Sequence, residues 1–573
     1  MSNVVIDNQT FEFEGSPTLL QFMLDQGIDL PHFCYHPAMS APANCRQCLV
    51  EVGMPERDRA TGELILDEDG QPQIQFMPKL MTSCTQLIVD GLVVRSHLSS
   101  ETIRRAQKDN LEFLLINHPL DCPICDQAGN CPLQIQSFKH GPEGSRFEFE
   151  KVRKPKHIEL GPRVVLDGER CINCTRCTRF TSEISKSHQL TIAERGVHNY
   201  PMTPPGLDFD EPYSMNVIDI CPVGALTSRE FRFKSRVWEM SNTPSISASN
   251  AKGSNCYYWV QDNLIMKVTP RTNMNVNEYW LADEDRLDYH RFNENRPEGP
   301  TSQGAASNWN SAYSDAAAHL QRIPGSEIIF IGSASACVED NYLLGRLADI
   351  VGSEKPKFVE HVQFGAGDDW LITDDKTPNA HGCRLLGMDP LDAELLRSRL
   401  SSGDIKAIYI LEEDLIGSGI CSAEDLADVT VILHPVSKSN ETLKYADVSL
   451  PSAMIVETVG TFVNQDGYAQ KVRPAKAIRS VNRTLMMSFG RSRADLHGTP
   501  FDRWHHEENL VDCQPGWVSV PAVAQALGHE MNYKGPRNII EEIADTIEDF
   551  AGLSYSEMGE LGMNLDKKTA IVE

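Results

Sequence analysis

The chain has 573 residues, 41% of them hydrophobic and 23% charged, which is ordinary for globular protein and leaves room for two or more domains. Its formal charge of −27 speaks against a nucleic-acid partner, whose phosphates would be repelled. No apolar run is long enough to span a bilayer, and the opening MSNVVIDNQTFEFEGSPT shows no pattern of a signal or transit segment, so neither is expected.

In chain order, residues 4–6 and 10–13 alternate as a hairpin around Asp7-Asn8-Gln9. A short helix is expected next, with Ser16 as N-cap, Pro17 in the first turn, Leu19, Leu20, Met23 and Leu24 on its apolar side, and Gly27 at its end. Residues 62–66 and 73–76, joined through Asp69-Gly70, read as an acidic hairpin. Residues 99–117 are amphipathic and helical in pattern, and cysteine-rich loops occupy 118–131 and 171–177. After about residue 240 the texture changes. Residues 328–331, 405–410 and 429–433 are apolar enough for buried strands, with helical stretches such as 341–351 between them, the pattern of parallel α/β units. A last amphipathic helix carries Ile540, Ile543, Ile547 and Phe550.

Eleven of the 16 cysteines fall between Cys34 and Cys221. A disulfide framework suits short secreted chains, so clustered cysteines here point to metal ligation. The first set is Cys34-x10-Cys45-x2-Cys48-x35-Cys84, in a β-rich setting. It resembles a 2Fe–2S ferredoxin whose first interval is wider than the plant type; structural zinc is the alternative. The second set is His118-x3-Cys122-x2-Cys125-x5-Cys131, in which an imidazole completes three thiolates; the alternative is that His118 is a polar loop residue beside Pro119. The third set is Cys171-x2-Cys174-x2-Cys177 with Cys221-Pro222 downstream, a bacterial ferredoxin run with its fourth cysteine displaced. Eleven cysteines and His118 make twelve ligands, or three sets of four. Cys256, Cys337, Cys383, Cys421 and Cys513 remain, and are expected to be buried structural thiols.

The segments DLPHFCYHP, NCRQCLVEV, NHPLDCPICDQAGNCPLQ, RCINCTRCTRF and DICPVGALT, followed by VNEYWLADEDRLDYHRF and YADVSLPSAMIVETVGTFVNQDGYAQ, resemble one family. It is the large iron–sulfur subunit of respiratory NADH–quinone oxidoreductase (complex I). The resemblance implies an α+β multidomain chain. Residues 1–97 would be a 2Fe–2S ferredoxin-like β-grasp domain. Residues 98–145 would be a 4Fe–4S domain with one histidine and three cysteine ligands, and 146–240 a 4Fe–4S ferredoxin-like domain with four cysteine ligands. Residues 241–573 would form an α/β molybdopterin-oxidoreductase-like domain without the cofactor. It implies electron flow from the Cys34/Cys45/Cys48/Cys84 cluster, through Cys171/Cys174/Cys177/Cys221, to His118/Cys122/Cys125/Cys131, so that the wire order differs from the sequence order.

The implied partners are a flavin/NADH-binding subunit, a 2Fe–2S partner subunit, the quinone-proximal iron–sulfur subunits and the membrane arm. The implied place is peripheral, on the cytoplasmic face of the bacterial inner membrane. Some relatives hold a fourth cluster through C-x2-C-x3-C. Here Ser247, Asn250 and Ser254 stand at those places and Cys256 is two residues out of register, so no fourth cluster is expected. The competing readings are a molybdenum-dependent catalytic subunit like formate dehydrogenase, or the diaphorase subunit of an NAD-linked hydrogenase. No G-x-G-x-x-G fingerprint is present, so the nicotinamide would belong to a partner. No catalytic residue is assigned. Gly460, Asn464 and Gly467 read as turn formers.

Overall fold

The hairpin forms where the alternation places it, Ser2–Ile6 against Gln9–Phe13, with Asp7 and Asn8 both at positive φ as a tight two-residue hairpin turn requires. The computed structural model describes residues 2–58, 61–68, 70–479 and 509–566. The chain divides into two units, Met1–Trp238 and Glu239–Glu573.

In the first unit, Ser2–Ile6 pairs in parallel with Leu92–Arg95, which lies beside Leu49–Pro55 and then Ile74–Phe76, in one six-stranded sheet. Helix Leu19–Asp25 packs Leu19, Leu20 and Met23 on that sheet with Val4, Val50 and Leu92. Ser16 is not its N-cap. The helix starts at Leu19, and its first amides are satisfied by chain remote in sequence: Leu19 N–H donates to Gln86 O (2.7 Å) and Leu20 N–H to Ser83 O (3.0 Å). Gly27 ends the helix at φ +75° as expected. The acidic hairpin is looser than its pattern suggests. Ile74–Phe76 pairs with Leu49–Pro55, whereas residues 62–66 make only isolated bridges; Asp69 lies outside the described residues.

Helix Glu101–Leu115 is capped by Ser100, whose hydroxyl accepts from Ile103 N–H (3.3 Å). It is clamped to the loop of Cys45 and Cys48 by a reciprocal pair: Gln107 donates to Gln47 O (3.0 Å) and Gln47 to Gln107 O (3.3 Å). Further along, Val164–Leu166 pairs antiparallel with Leu226–Ser228, Leu166 opposite Leu226. This register brings the chain leading into Cys171 beside the chain leaving Cys221.

In the second unit, Ile328–Ser333, Lys357–Val359, Ala407–Leu411 and Thr430–His434 are parallel neighbours within an eight-stranded sheet. Both faces are covered, which is why these strands read as continuous apolar runs. Phe330, Tyr409 and Ile432 pack against Leu343, Leu347 and Val520. Ile329, Ile408 and Val431 pack against Leu396, Leu400 and Leu415 on the other side. The amphipathic helix near the end of the chain is shorter than its periodicity: Pro536–Thr546 buries Ile540 and Ile543, and Phe550 reaches the core from a separate turn, Glu548–Phe550. At Gly325 a side chain has no room, because a Cβ would overlap the carbonyl oxygens of Val351 and, at 2.5 Å, Gly352. Gly325→Ala is therefore expected to destabilise this unit by about 2–3 kcal/mol in urea unfolding while leaving iron content unchanged; an unaltered midpoint would refute that packing.

Candidate iron–sulfur centres

Cys34, Cys45, Cys48 and Cys84 are all buried. The structure brings them together as two thiol pairs, Cys34 with Cys45 and Cys48 with Cys84. Ala43 and Arg46 adopt positive φ, which winds the loop back on itself. The hydrogen bond from the Cys45 thiol, with the Asn44 and Cys45 amides, pushes Cys34 down to about 6. The Cys84 thiol pushes Cys48 down to about 7. The shared proton pushes the donors Cys45 and Cys84 up in turn, so each pair gives up one proton readily and holds the other until a metal replaces it.

Cys171, Cys174, Cys177 and Cys221 line one small cavity with Val223 and Leu226. The loop turns through Asn173 and Thr175 in left-handed conformation and runs into the short helix Arg176–Arg179 and a π-helical turn, Phe180–Ile184. Burial pushes the thiols up, Cys171 to about 12 and Cys174 to about 11. Four buried thiolates without compensating charge are costly, which is why the free thiols hold their protons, and iron would supply that charge.

Cys125 and Cys131 are buried, Cys122 is exposed, and the three are electrostatic neighbours. His118 stands beside Arg170, Lys151 and Asp121, and burial pushes its ring down to about 4, so it is neutral near pH 7 and able to ligate. Its ring makes no hydrogen bond among the described residues, and Nδ1 is buried without a partner. A ligating imidazole usually donates its second N–H to an acceptor, and that acceptor is missing here.

Among the described residues, no three His, Cys, Asp or Glu side chains close on a single ion. The sets are therefore judged by their donors and surroundings, and both suit polynuclear iron–sulfur centres.

The tertiary contacts order the three sets in space. The first and third touch through arginines whose part was not apparent in the sequence. Arg179 donates to Cys34 O, Ser40 O and Cys174 O, and Arg176 to Tyr35 O and Ile220 O. The third and second touch through the segment after Cys221. The Cys131 thiol lies 3.7 Å from Pro222 O, and a Cβ on Gly224 would overlap Cys125 Sγ. Arg170 ties the same loops, pairing with Asp121 (3.0 Å) and donating to Gly224 O (3.4 Å). No sequence pattern singles out Gly224; the three arginines set among the cysteines of RCINCTRCTRF are the signal that could have flagged Arg170, Arg176 and Arg179.

Family models match along the chain. A 2Fe-2S iron-sulfur cluster binding domain covers residues 2–98, and the NADH-ubiquinone oxidoreductase-G iron-sulfur binding region covers 107–146. The NADH-quinone oxidoreductase subunit 3 ferredoxin-like domain covers 161–227, an NDSU1/NuoG-like 4Fe-4S domain 240–290, and a molybdopterin oxidoreductase model 391–495. An NADH-quinone oxidoreductase subunit of Rickettsia conorii is 30% identical over 534 residues, covering 89% of this chain and 73% of that protein. The chain belongs to the NuoG-like family of NADH-quinone oxidoreductase subunits. Subunit 3 of Thermus thermophilus is 34% identical over 367 residues, 61% of this chain and 46% of that one. The 75 kDa subunit of Reclinomonas americana is 36% identical over 361 residues, 62% and 48% respectively. Among solved structures, a chain of an NAD+-reducing [NiFe]-hydrogenase is 26% identical with a TM-score of 0.33, covering 41% of this chain and 91% of that one, too slight a likeness to bear on function. As a member of the NuoG-like family, the chain is an iron–sulfur electron relay within an oxidoreductase complex. It pairs ferredoxin-like domains with a molybdopterin-oxidoreductase-like domain.

Proposed function

We propose that this chain carries one 2Fe–2S cluster on Cys34, Cys45, Cys48 and Cys84, and two 4Fe–4S clusters. One of these is on Cys171, Cys174, Cys177 and Cys221, the other on His118, Cys122, Cys125 and Cys131. The clusters, when bound, supply one-electron carriers; the protein holds them in line and sets their surroundings. The spatial order of the three ligand sets carries the reading. Arg179 touches the first and third, and the Pro222–Gly224 segment touches the third and second. Electrons would enter at the 2Fe–2S end from a flavin partner and leave from the His118 end towards quinone-proximal subunits.

The domain ranges 1–97, 98–145, 146–240 and 241–573 follow this partition. No helix among the described residues is long and apolar enough to cross a membrane, which suits a peripheral place on the cytoplasmic face, within a membrane complex.

The reading includes no fourth cluster, although residues 240–290 match a 4Fe-4S domain model. Ser247 donates to Asp285 (2.5 Å) and Asn250 to Glu284 (3.0 Å). Cys256 is buried on the adjoining strand, opposite Ser245. Of the positions that hold thiolates in some relatives, Ser247 and Asn250 are hydrogen-bonded here, and the hydroxyl of Ser254 is buried without a hydrogen bond among the described residues.

The second unit is proposed as a docking platform without molybdopterin. Its cavity of about 470 Å³ lies at the carboxyl ends of the parallel strands, lined by Ser335, His361, Glu412, Glu413 and Asp414. Its acids already have partners: Glu413 bonds His361 (2.9 Å), Glu412 accepts from Ser452 (2.6 Å), and Asp414 accepts from Gly417 N–H (2.9 Å). Gly460, Asn464 and Gly467 belong to the hairpin Gly460–Val463/Tyr468–Val472, where Asn464 accepts from Tyr468 N–H (2.8 Å). Metal analysis of the purified protein should find about ten irons per chain and no molybdenum. About fourteen irons, or stoichiometric molybdenum, would overturn the partition.

A further inference from the structure

We propose that Arg176 and Arg179 form a shared bridge between the first and third clusters, fixing the spacing of the two ligand loops and raising both reduction potentials together. The inference rests on the ligand sets proposed above. Its central observation is that one terminal nitrogen of Arg179, Nη2, donates to the main-chain carbonyls of two ligand residues, Cys34 and, at 3.4 Å, Cys174. The other nitrogen, Nη1, donates to Ser40 O in the first loop. Arg176 spans the same gap, from Tyr35 O, beside Cys34, to Ile220 O, beside Cys221 (3.1 Å). The seam is closed at its edges by Asn44 donating to Asn173 O (3.1 Å), and by Ser40 donating through N–H (2.8 Å) and hydroxyl (2.6 Å) to Glu183.

A planar guanidinium has donors enough to hold two loops at once; an ammonium is a point charge on a flexible stem. Among the described residues neither arginine makes an ion pair, and every partner of its guanidinium is an uncharged oxygen. Arg179 is only 9% exposed. Two cations without a carboxylate partner therefore lie beside the ligands of both clusters, and Glu183, the acid on this seam, is held by Ser40. Reducing a tetrathiolate cluster adds one negative charge, and a cation in a poorly solvated site favours that state. Because both guanidiniums face both loops, the two potentials should move together, which preserves the driving force of the step between them.

The test is potentiometric and pulsed EPR on the assembled complex carrying Arg179→Gln, Arg176→Gln or Arg179→Lys. Each Gln variant should lower the midpoints of the 2Fe–2S cluster and the Cys171-set cluster together and leave the His118-set cluster unmoved. Arg179→Lys keeps the charge but not the fork. It should hold both midpoints near wild type while weakening the magnetic interaction between the two clusters. The proposal is overturned if all signals persist and the Gln variants leave both midpoints in place. Should a Gln variant fail to assemble, Arg179→Lys decides: a lowered midpoint or an unweakened interaction overturns the bridge. Failure of the underlying ligand assignment looks different, since Cys34→Ser would then leave the 2Fe–2S signal intact.

Discussion

Replacing His118 with alanine should leave one iron of the second cluster open to water. The cluster should become labile or lose that iron, and electron delivery to quinone should fall at least about tenfold, since the path is serial and even outer partners of metal ligands cost that much. The structure supplies the protonation state. Burial and the Arg170 charge push the imidazole down to about 4, so it is neutral at working pH. A neutral ligand makes this cluster one charge less negative than a four-thiolate cluster. His118→Cys should therefore restore four irons yet lower the potential and slow the flow towards quinone. Potentiometric EPR of both variants decides the matter. If His118→Ala keeps a four-iron signal at wild-type potential and turnover, His118 is a loop residue and the second set must be redrawn.

The second large effect is expected at Gly224. A methyl group there would overlap Cys125 Sγ and come within 3.1 Å of the Cβ of Gln127, whose side chain is itself held by Asn130 O (2.7 Å). Relief has two routes. Either the Cys125 sulfur rotates out of its set, or the turn carrying Gly224 withdraws and takes Cys221 with it. Both routes remove a thiolate from a 4Fe–4S centre. Gly224→Ala should thus lower iron from about ten to about six per chain, or lower still, with the 2Fe–2S signal spared. Full iron with both 4Fe–4S signals intact would show that these loops are not in the contact described.

Much of the molecule was legible in one dimension. The alternation of the first hairpin and the apolar runs of the parallel strands could be read directly, and the Cys171-x2-Cys174-x2-Cys177 spacing pointed to thiols that the fold gathers round one cavity. These features depend on residues a few positions apart, where chain geometry alone limits the outcome. The places where the reading failed depend on distant chain. Ser16 has the chemistry of a cap, yet the amides at 19 and 20 found the carbonyls at 86 and 83. Phe550 continued a helical period, but the helix had already ended and the ring reached the core from a turn.

By itself, the sequence determined which soft donors cluster and at what spacing, and the family to which the chain belongs. Ligand spacing left open which set neighbours which; the order that the resemblance implied acquires its physical cause only in the tertiary contacts. The third set stands between the first and second because Arg179 reaches back to Cys34, and because Leu166 opposite Leu226 carries the Cys221 turn onto Cys125. A relay is a sequence of distances, and distances between loops 91 to 145 residues apart are set by packing and hydrogen bonds that no local spacing encodes.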